Sequence, residues 1–179
     1  MKKALLTLVI AAASFAANAQ TGQGNWLIGG GAGFSSGKSS GASSSTSYFY
    51  LAPNAGYFVA DDIAVGAEVS FASQTGGYSS FSAAPFVRYY FLPLGDAAKL
   101  LAHGSFGFGS SKSGDSAQSV SSTNWKIAAG PAFFLNQHVA LETLLYYGSE
   151  KMKDFPAFNS FGVSIGFQIH LGHPNAKKK

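Results

Sequence analysis

From Trp26 onward the chain keeps a two-residue rhythm over segments too long for an ordinary soluble sheet. One run sets Ile63, Val65, Ala67, Val69 and Phe71 against Ala64, Gly66, Glu68 and Ser70. The split recurs as Phe81, Ala83, Pro85, Val87, Tyr89 and Phe91 against Ser82, Ala84, Phe86, Arg88 and Tyr90. It is cleanest as Phe161, Val163, Ile165, Phe167, Ile169 and Leu171 against Ser160, Gly162, Ser164, Gly166, Gln168 and His170. Such alternation turns successive side chains to opposite faces of a strand, so the two faces meet different surroundings. Eight strands are predicted, at about 26–35, 48–59, 63–71, 81–91, 99–109, 124–135, 139–148 and 158–171. Most reach the ~9–11 residues of a tilted membrane-crossing strand, above the ~5–6 usual in soluble sheets.

The connections alternate in kind. Residues 36–47, 72–80, 110–122 and 149–157 are polar and mostly rich in Ser and Gly. Between them sit tight joints at Ala60-Asp61-Asp62 and Asn136-Gln137-His138, and a turn from Leu92 to Ala98 containing Pro93 and Gly95. Long and short loops in strict succession are the pattern of an antiparallel up-and-down transmembrane β-barrel. With an even strand number both termini fall on the short-turn side. Pro85 and Pro131 lie within strands and each removes a ladder donor, so bulges or local breaks are expected there.

Which face is greasy decides the solvent. Besides scattered polar groups, the second face carries Gly29, Gly31, Gly33, Gly56, Ala64, Gly66, Gly107, Gly130, Gly162 and Gly166. An eight-stranded barrel has an interior only wide enough to be filled by side chains, and small residues suit it. The aliphatic and aromatic face suits lipid; in water it would be an apolar patch larger than soluble monomers tolerate. Aromatic residues also mark the strand ends: Phe34, Phe49, Phe71, Phe81, Phe108, Trp125, Tyr147 and Phe161 near the long loops, and Trp26, Tyr57, Tyr89 and Phe133 near the short turns. Two such belts match the interfacial girdles of membrane barrels. Charged residues make up only 11%, against about 25% in an average soluble domain.

The first residues read as a removable leader. Met1-Lys2-Lys3 is cationic, residues 4–16 are apolar but for Thr7 and Ser14, and Ala17-Asn18-Ala19 supplies the small residues of a cleavage site. The organisation expected is a signal peptide at 1–19, a barrel at 20–171 and a short basic tail at 172–179. The apolar run falls short of the ~20 residues of a helical span. The net charge of +4 comes largely from Lys2 and Lys3 in the leader and Lys177, Lys178 and Lys179 in the tail, which leaves no basic face for nucleic acid. With no cysteine, disulfide scaffolds, thiolate metal sites and lipoprotein acylation are excluded.

Over nearly all of residues 24–171 this architecture resembles the OmpX/OmpA-type small outer-membrane β-barrels, often termed porin-family proteins. A local signature adds to it: Ser164-Ile165-Gly166-Phe167-Gln168-Ile169-His170-Leu171 is similar to the C-terminal signal read by the barrel-assembly machinery. Ser164, Gly166, Ile169 and Leu171 occupy its key positions, although Ile169 and Leu171 stand where aromatics are usual and eight residues follow. The resemblance implies a Gram-negative outer-membrane protein with long loops extracellular and termini periplasmic. Its surroundings would be outer-membrane lipid and lipopolysaccharide, with the assembly machinery a partner during insertion. The tail is too short for the peptidoglycan-binding domain that some relatives carry.

Lumen-facing polar residues are expected to be Glu68, Arg88, His103, Lys126, Glu142, Gln168 and His170. Counted from the short turns, Glu68, Arg88, His103 and Glu142 share one height. The expectation is that Glu68 pairs with Arg88, joined by His103 or Glu142, while Lys126 sits nearer the outer mouth and meets water. Ionised groups in a confined lumen need partners, so a plugging network is expected, with a gated ion path as its alternative. His103-Gly104-Ser105 carries a histidine and a serine two apart, as in the lipid A deacylases, but no carboxylate follows nearby on the next strand to orient the histidine. His138 and His173 are expected to be solvated, and four dispersed histidines make no metal site. The run from Gly29 to Gly33 lacks the register of a nucleotide loop. The reading is a non-enzymatic envelope barrel without cofactor and with at most a narrow pore. A secreted lipocalin-like ligand-binding barrel and a lipid A-modifying enzyme are the alternatives.

Overall fold

The computed structural model describes residues 21–38, 44–114 and 118–172. The predicted leader, Gln20 and the tail beyond Gly172, with His173, lie outside the described residues. Eight strands form: β1 (Trp26–Gly37), β2 (Thr46–Ala60), β3 (Ile63–Gln74), β4 (Tyr78–Pro93), β5 (Ala98–Ser113), β6 (Val120–Phe134), β7 (Val139–Met152) and β8 (Phe158–Leu171). Each pairs antiparallel with its chain neighbours, and β8 returns to β1 to close the barrel. Trp26 lies opposite Leu171, so the first and last strands share the short-turn end.

Seven of the eight strands run further than the alternation predicts at the long-loop end, β8 alone keeping its bounds, while the short-turn ends shift by at most two residues. Residues 72–80 are mostly ladder rather than loop: Phe71 faces Phe81, pairing continues to Gln74↔Tyr78, and only Thr75-Gly76-Gly77 remains as a turn. Serine and glycine backbones carry the same donors and acceptors as any others, so a Ser-rich hairpin can stay paired beyond the apolar belt. The short turns are held locally. Asp62 adopts a φ of 64° in the Asp61-Asp62 turn, and Asn136 Oδ1 accepts from the backbone N–H groups of His138 (2.8 Å) and Val139 (2.9 Å).

Pro85 and Pro131 produce breaks and no bulge. The β4–β5 ladder passes from Ala83↔Phe108 to Phe86↔Ser105, and the β6–β7 ladder from Ala129↔Leu145 to Ala132↔Glu142, each keeping its register. Pro53, which the alternation does not single out, does the same between Leu51↔Phe71 and Asn54↔Glu68. A proline removes one donor without adding a residue, so pairing lapses locally and resumes in step. The register shifts lie elsewhere, between Phe58 and Ala60 and between Tyr90 and Leu92, close to the short turns.

The side chains divide as the alternation requires. Trp26, Phe34, Phe71, Phe81, Trp125, Tyr147 and Phe161 all point outward and are exposed. Ring pairs tie neighbouring strands across this surface: Trp26 with Tyr57 at 5.3 Å, Phe71 with Phe81 at 5.2 Å and Trp125 with Tyr147 at 5.6 Å between centroids. An apolar surface that encircles the barrel is stable against hydrocarbon and not against water.

The lumen is less uniformly small than expected. Near the short turns it is packed with Leu27, Phe58, Tyr90, Leu101 and Phe134, all buried. Higher up, glycines make room for rings. A Cβ on Gly66 would run into the Ala55 carbonyl and the Phe86 ring, and one on Gly162 would press on the Tyr146 ring. Each ring thus lies over the glycine directly opposite it on the neighbouring strand, which helps fill the interior densely.

Candidate functional site

The inward polar side chains fall into three tiers. Near the short turns, Lys99 Nζ donates to Thr21 Oγ1 (2.8 Å) and to Asp62 Oδ1 (2.7 Å), and Thr21 also donates to that carboxylate. Backbone hydrogen bonds from Gly24 to Phe58 and from Asp62 to Thr21 fold residues 21–25 against the barrel end. Parity with His103 turns Lys99 inward within the predicted strand 99–109, but its partners Thr21 and Asp62 lie outside every strand, where alternation carries no information. Thr21→Val removes the hydroxyl that both charged groups use. About 1–2 kcal/mol of stability should be lost, read from the urea unfolding midpoint in lipid vesicles.

The middle tier is built on Arg88. Its Nη1 lies 2.9 Å from both carboxylate oxygens of Glu142, and its Nε donates to His103 Nδ1 at 3.2 Å. Tyr90 donates its phenol to Glu142 Oε1 at 3.1 Å. Amide orientation follows the surrounding donors: the Gln168 oxygen accepts from Arg88 Nη1 (3.1 Å) and Nη2 (3.2 Å), while Gln168 and Asn54 exchange hydrogen bonds. The guanidinium carbon also lies 5.2 Å from the centre of the Phe86 ring. Arg88 and Glu142 are both almost wholly buried. His170 lies just below, ringed by Phe58, Tyr90 and Phe134.

The upper tier centres on Glu68. Lys126 Nζ lies 2.9 and 3.1 Å from its two oxygens, Ser105 Oγ donates to it at 2.9 Å, and His103 Nε2 stands 3.6 Å away. The expected Glu68–Arg88 pair is therefore incorrect. Arg88 sits in register with Ala64 and His103, whereas Glu68 sits in register with Asn54 and Ala84, four residues further along β3. Counting from the turns ignores the stagger that closing a tilted sheet imposes. That stagger sends Arg88 across the lumen to Glu142 on β7 and brings Lys126 from β6 to Glu68. Lys126 does lie toward the mouth and is partly exposed, but it is held by Glu68 rather than left to water.

His103 and Ser105 both face this lumen, and the carboxylate beside them comes from β3 rather than from the following strand. The arrangement is not a relay: Ser105 donates to Glu68 rather than to histidine, and His103 Nδ1 is taken by Arg88. His138, expected to be solvated, has Nδ1 3.1 Å from the His170 carbonyl. Among the described residues no cluster of three or more His, Cys, Asp or Glu could hold a metal ion. In the C-terminal octapeptide, Ile169 and Leu171 face outward where β8 pairs with β1, opposite Ile28 and Trp26, while Ser164 and Gly166 lie beyond that pairing.

Comparison with known proteins places this geometry. The chain superposes on the N-terminal β-barrel domain of Pseudomonas aeruginosa OprF with a TM-score of 0.57 and 13% identity, covering 84% of this chain and 99% of that one. Neisserial surface protein A gives a TM-score of 0.60 at 16% identity, over 82% and 97% of the two chains. At such identities the likeness is one of fold. No curated protein gives a significant match. The sequence profile described as the outer membrane protein beta-barrel domain matches residues 4–168. With its closed eight-stranded barrel and lipid-suited outer face, the chain belongs to the outer membrane protein beta-barrel domain family.

Proposed function

We propose that the protein is a non-enzymatic, non-conducting outer-membrane barrel that contributes to envelope integrity and presents its Ser-rich hairpins at the cell surface. The observation that carries this reading is the Arg88–Glu142 tier, buried across the lumen above a plug of Phe58, Tyr90, Phe134 and His170. Ions would have to cross both a paired charge layer and an apolar one, each a barrier to hydrated ions. In this reading the leader at 1–19 directs export, the termini are periplasmic and the long-loop end is extracellular. Outer-membrane lipid and lipopolysaccharide surround the girdles, and the assembly machinery reads Ser164, Gly166, Ile169 and Leu171 during insertion. The outward apolar surface argues against a soluble ligand carrier, and the Ser105–Glu68 hydrogen bond against a serine nucleophile.

Planar-bilayer recording of the purified barrel tests the reading. The expected trace has no stepwise conductance, with a folded, heat-modifiable band on an unboiled gel as the control. Regular unitary steps from that same folded material would replace the plug with a pore.

A further inference from the structure

The barrel closes over only part of its height. Five pairs join β1 to β8, from Trp26↔Leu171 to Gly30↔Phe167. β1 nevertheless stays paired to β2 as far as Gly37↔Thr46, and β8 to β7 as far as Phe158↔Glu150. Residues 31–37 of β1 and 158–166 of β8 thus have a ladder on one side only. Such a gap among lipid tails would leave backbone groups without partners, which hydrocarbon does not tolerate.

A cavity of about 510 Å³ lies above the Arg88–Glu142 tier, and its lining shows where it leads. A closed strand presents every second residue to a lumen, as β2 does here with Tyr48, Tyr50, Ala52 and Asn54. β1 and β8 behave differently. Residues 30–33 and 163–166 line the cavity consecutively, so these strands present their edges to it. The cavity therefore opens sideways between them, next to the girdle residues Phe34 and Phe161, which are 72% and 86% exposed. Nothing blocks the opening from the β1 side: a Cβ on Gly33 would meet no atom within 4 Å.

We propose that this seam admits one acyl amphiphile from the membrane, with a net-neutral polar head rather than the anionic head of lipopolysaccharide. Its chain lies along Phe34, Val163 and Ile165, and its head enters among Tyr50, Tyr146 and the free strand edges. Three features select this occupant. The site grades from apolar outside to polar inside, as an amphiphile does. The cations in its wall, Arg88 and Lys126, are already matched by Glu142 and Glu68, so no charge is left to attract an ionic head. Head-group oxygens and hydroxyls also satisfy the exposed strand edges, whereas an added protein strand would fill the seam and leave the cavity behind it empty.

The test uses lysophosphatidylcholine as the probe, with native mass spectrometry of the full mature barrel released from nanodiscs. One bound probe per barrel is expected, retained at least about tenfold better than the anionic lysophosphatidylglycerol. Gly33→Cys introduces the only thiol, at a position where an added Cβ meets no atom within 4 Å; a bulky maleimide added after folding should react there and abolish retention. Gly33→Phe should do the same where the heat-modifiable band shows folding. A thiol inaccessible to maleimide, retention unchanged after labelling, equal retention of the anionic probe, or a second barrel bound in place of the probe would each overturn the proposal.

Discussion

Glu142→Ala should lower the unfolding free energy of the barrel by about 3–5 kcal/mol, the cost of leaving a buried charge without its partner. Arg88 would keep the imidazole of His103, the oxygen of Gln168 and the face of Phe86, but none of these is an anion. Tyr90 would lose its acceptor as well. Replacing both ends with apolar residues, as Arg88→Met with Glu142→Leu, removes the unpaired charge and should restore stability to within about 1–2 kcal/mol of the parent or better. Lys126→Ala in the upper tier should cost only about 1 kcal/mol, because that ammonium is partly wet and Glu68 retains Ser105. Urea titration in lipid vesicles, followed by the gel mobility shift, measures all three. If Glu142→Ala costs no more than Lys126→Ala, water reaches the middle tier and the lumen is not sealed there.

The order of these effects could not be read from the sequence, although the participants could. Period-two alternation names Glu68, Arg88, His103, Lys126 and Glu142 as inward because facing depends only on parity along a strand. Partnership depends on the stagger between strands, and no local feature of β3 announces that Ala64, rather than Glu68, stands opposite Arg88. For the same reason Asn54 was not expected in the network and Tyr90, already placed on the inward face, was not expected to donate to it: each joins the site through residues of other strands. The strand ends were lost to a different cause. Composition marks where the apolar belt stops, and at Ser79 or Ser110 the ladder continues after the belt has ended. The partial seam between β1 and β8 is the least legible feature. It joins the two ends of the sequence, and the glycines at 29–33 suit a tight lumen wall and an open edge equally well.

The assignment of the outer face has its own decisive substitution. Ala129 points outward on β6, four residues from Trp125 in one girdle and four from Phe133 in the other, and pairs with Ala102 and Leu145. Ala129→Arg adds a cation there with little loss of existing packing. In a bilayer the penalty expected near the midplane is about 2–4 kcal/mol, falling to about 0–1 kcal/mol near the interface. Ser121→Arg, on the same face beyond Trp125, therefore serves as the shallow control. The same exposed substitution on a water-soluble barrel would change stability by no more than about 0.5 kcal/mol. Unfolding free energies of both variants in vesicles of matched thickness should differ by about 1–4 kcal/mol, with Ala129→Arg the weaker. Equal stabilities would mean that residue 129 meets water, and the ring of apolar side chains from Trp26 to Phe161 would then need a protein surface to cover it. A graded penalty with depth has no source but the hydrocarbon itself, since the two positions share a strand, a face and a substituent.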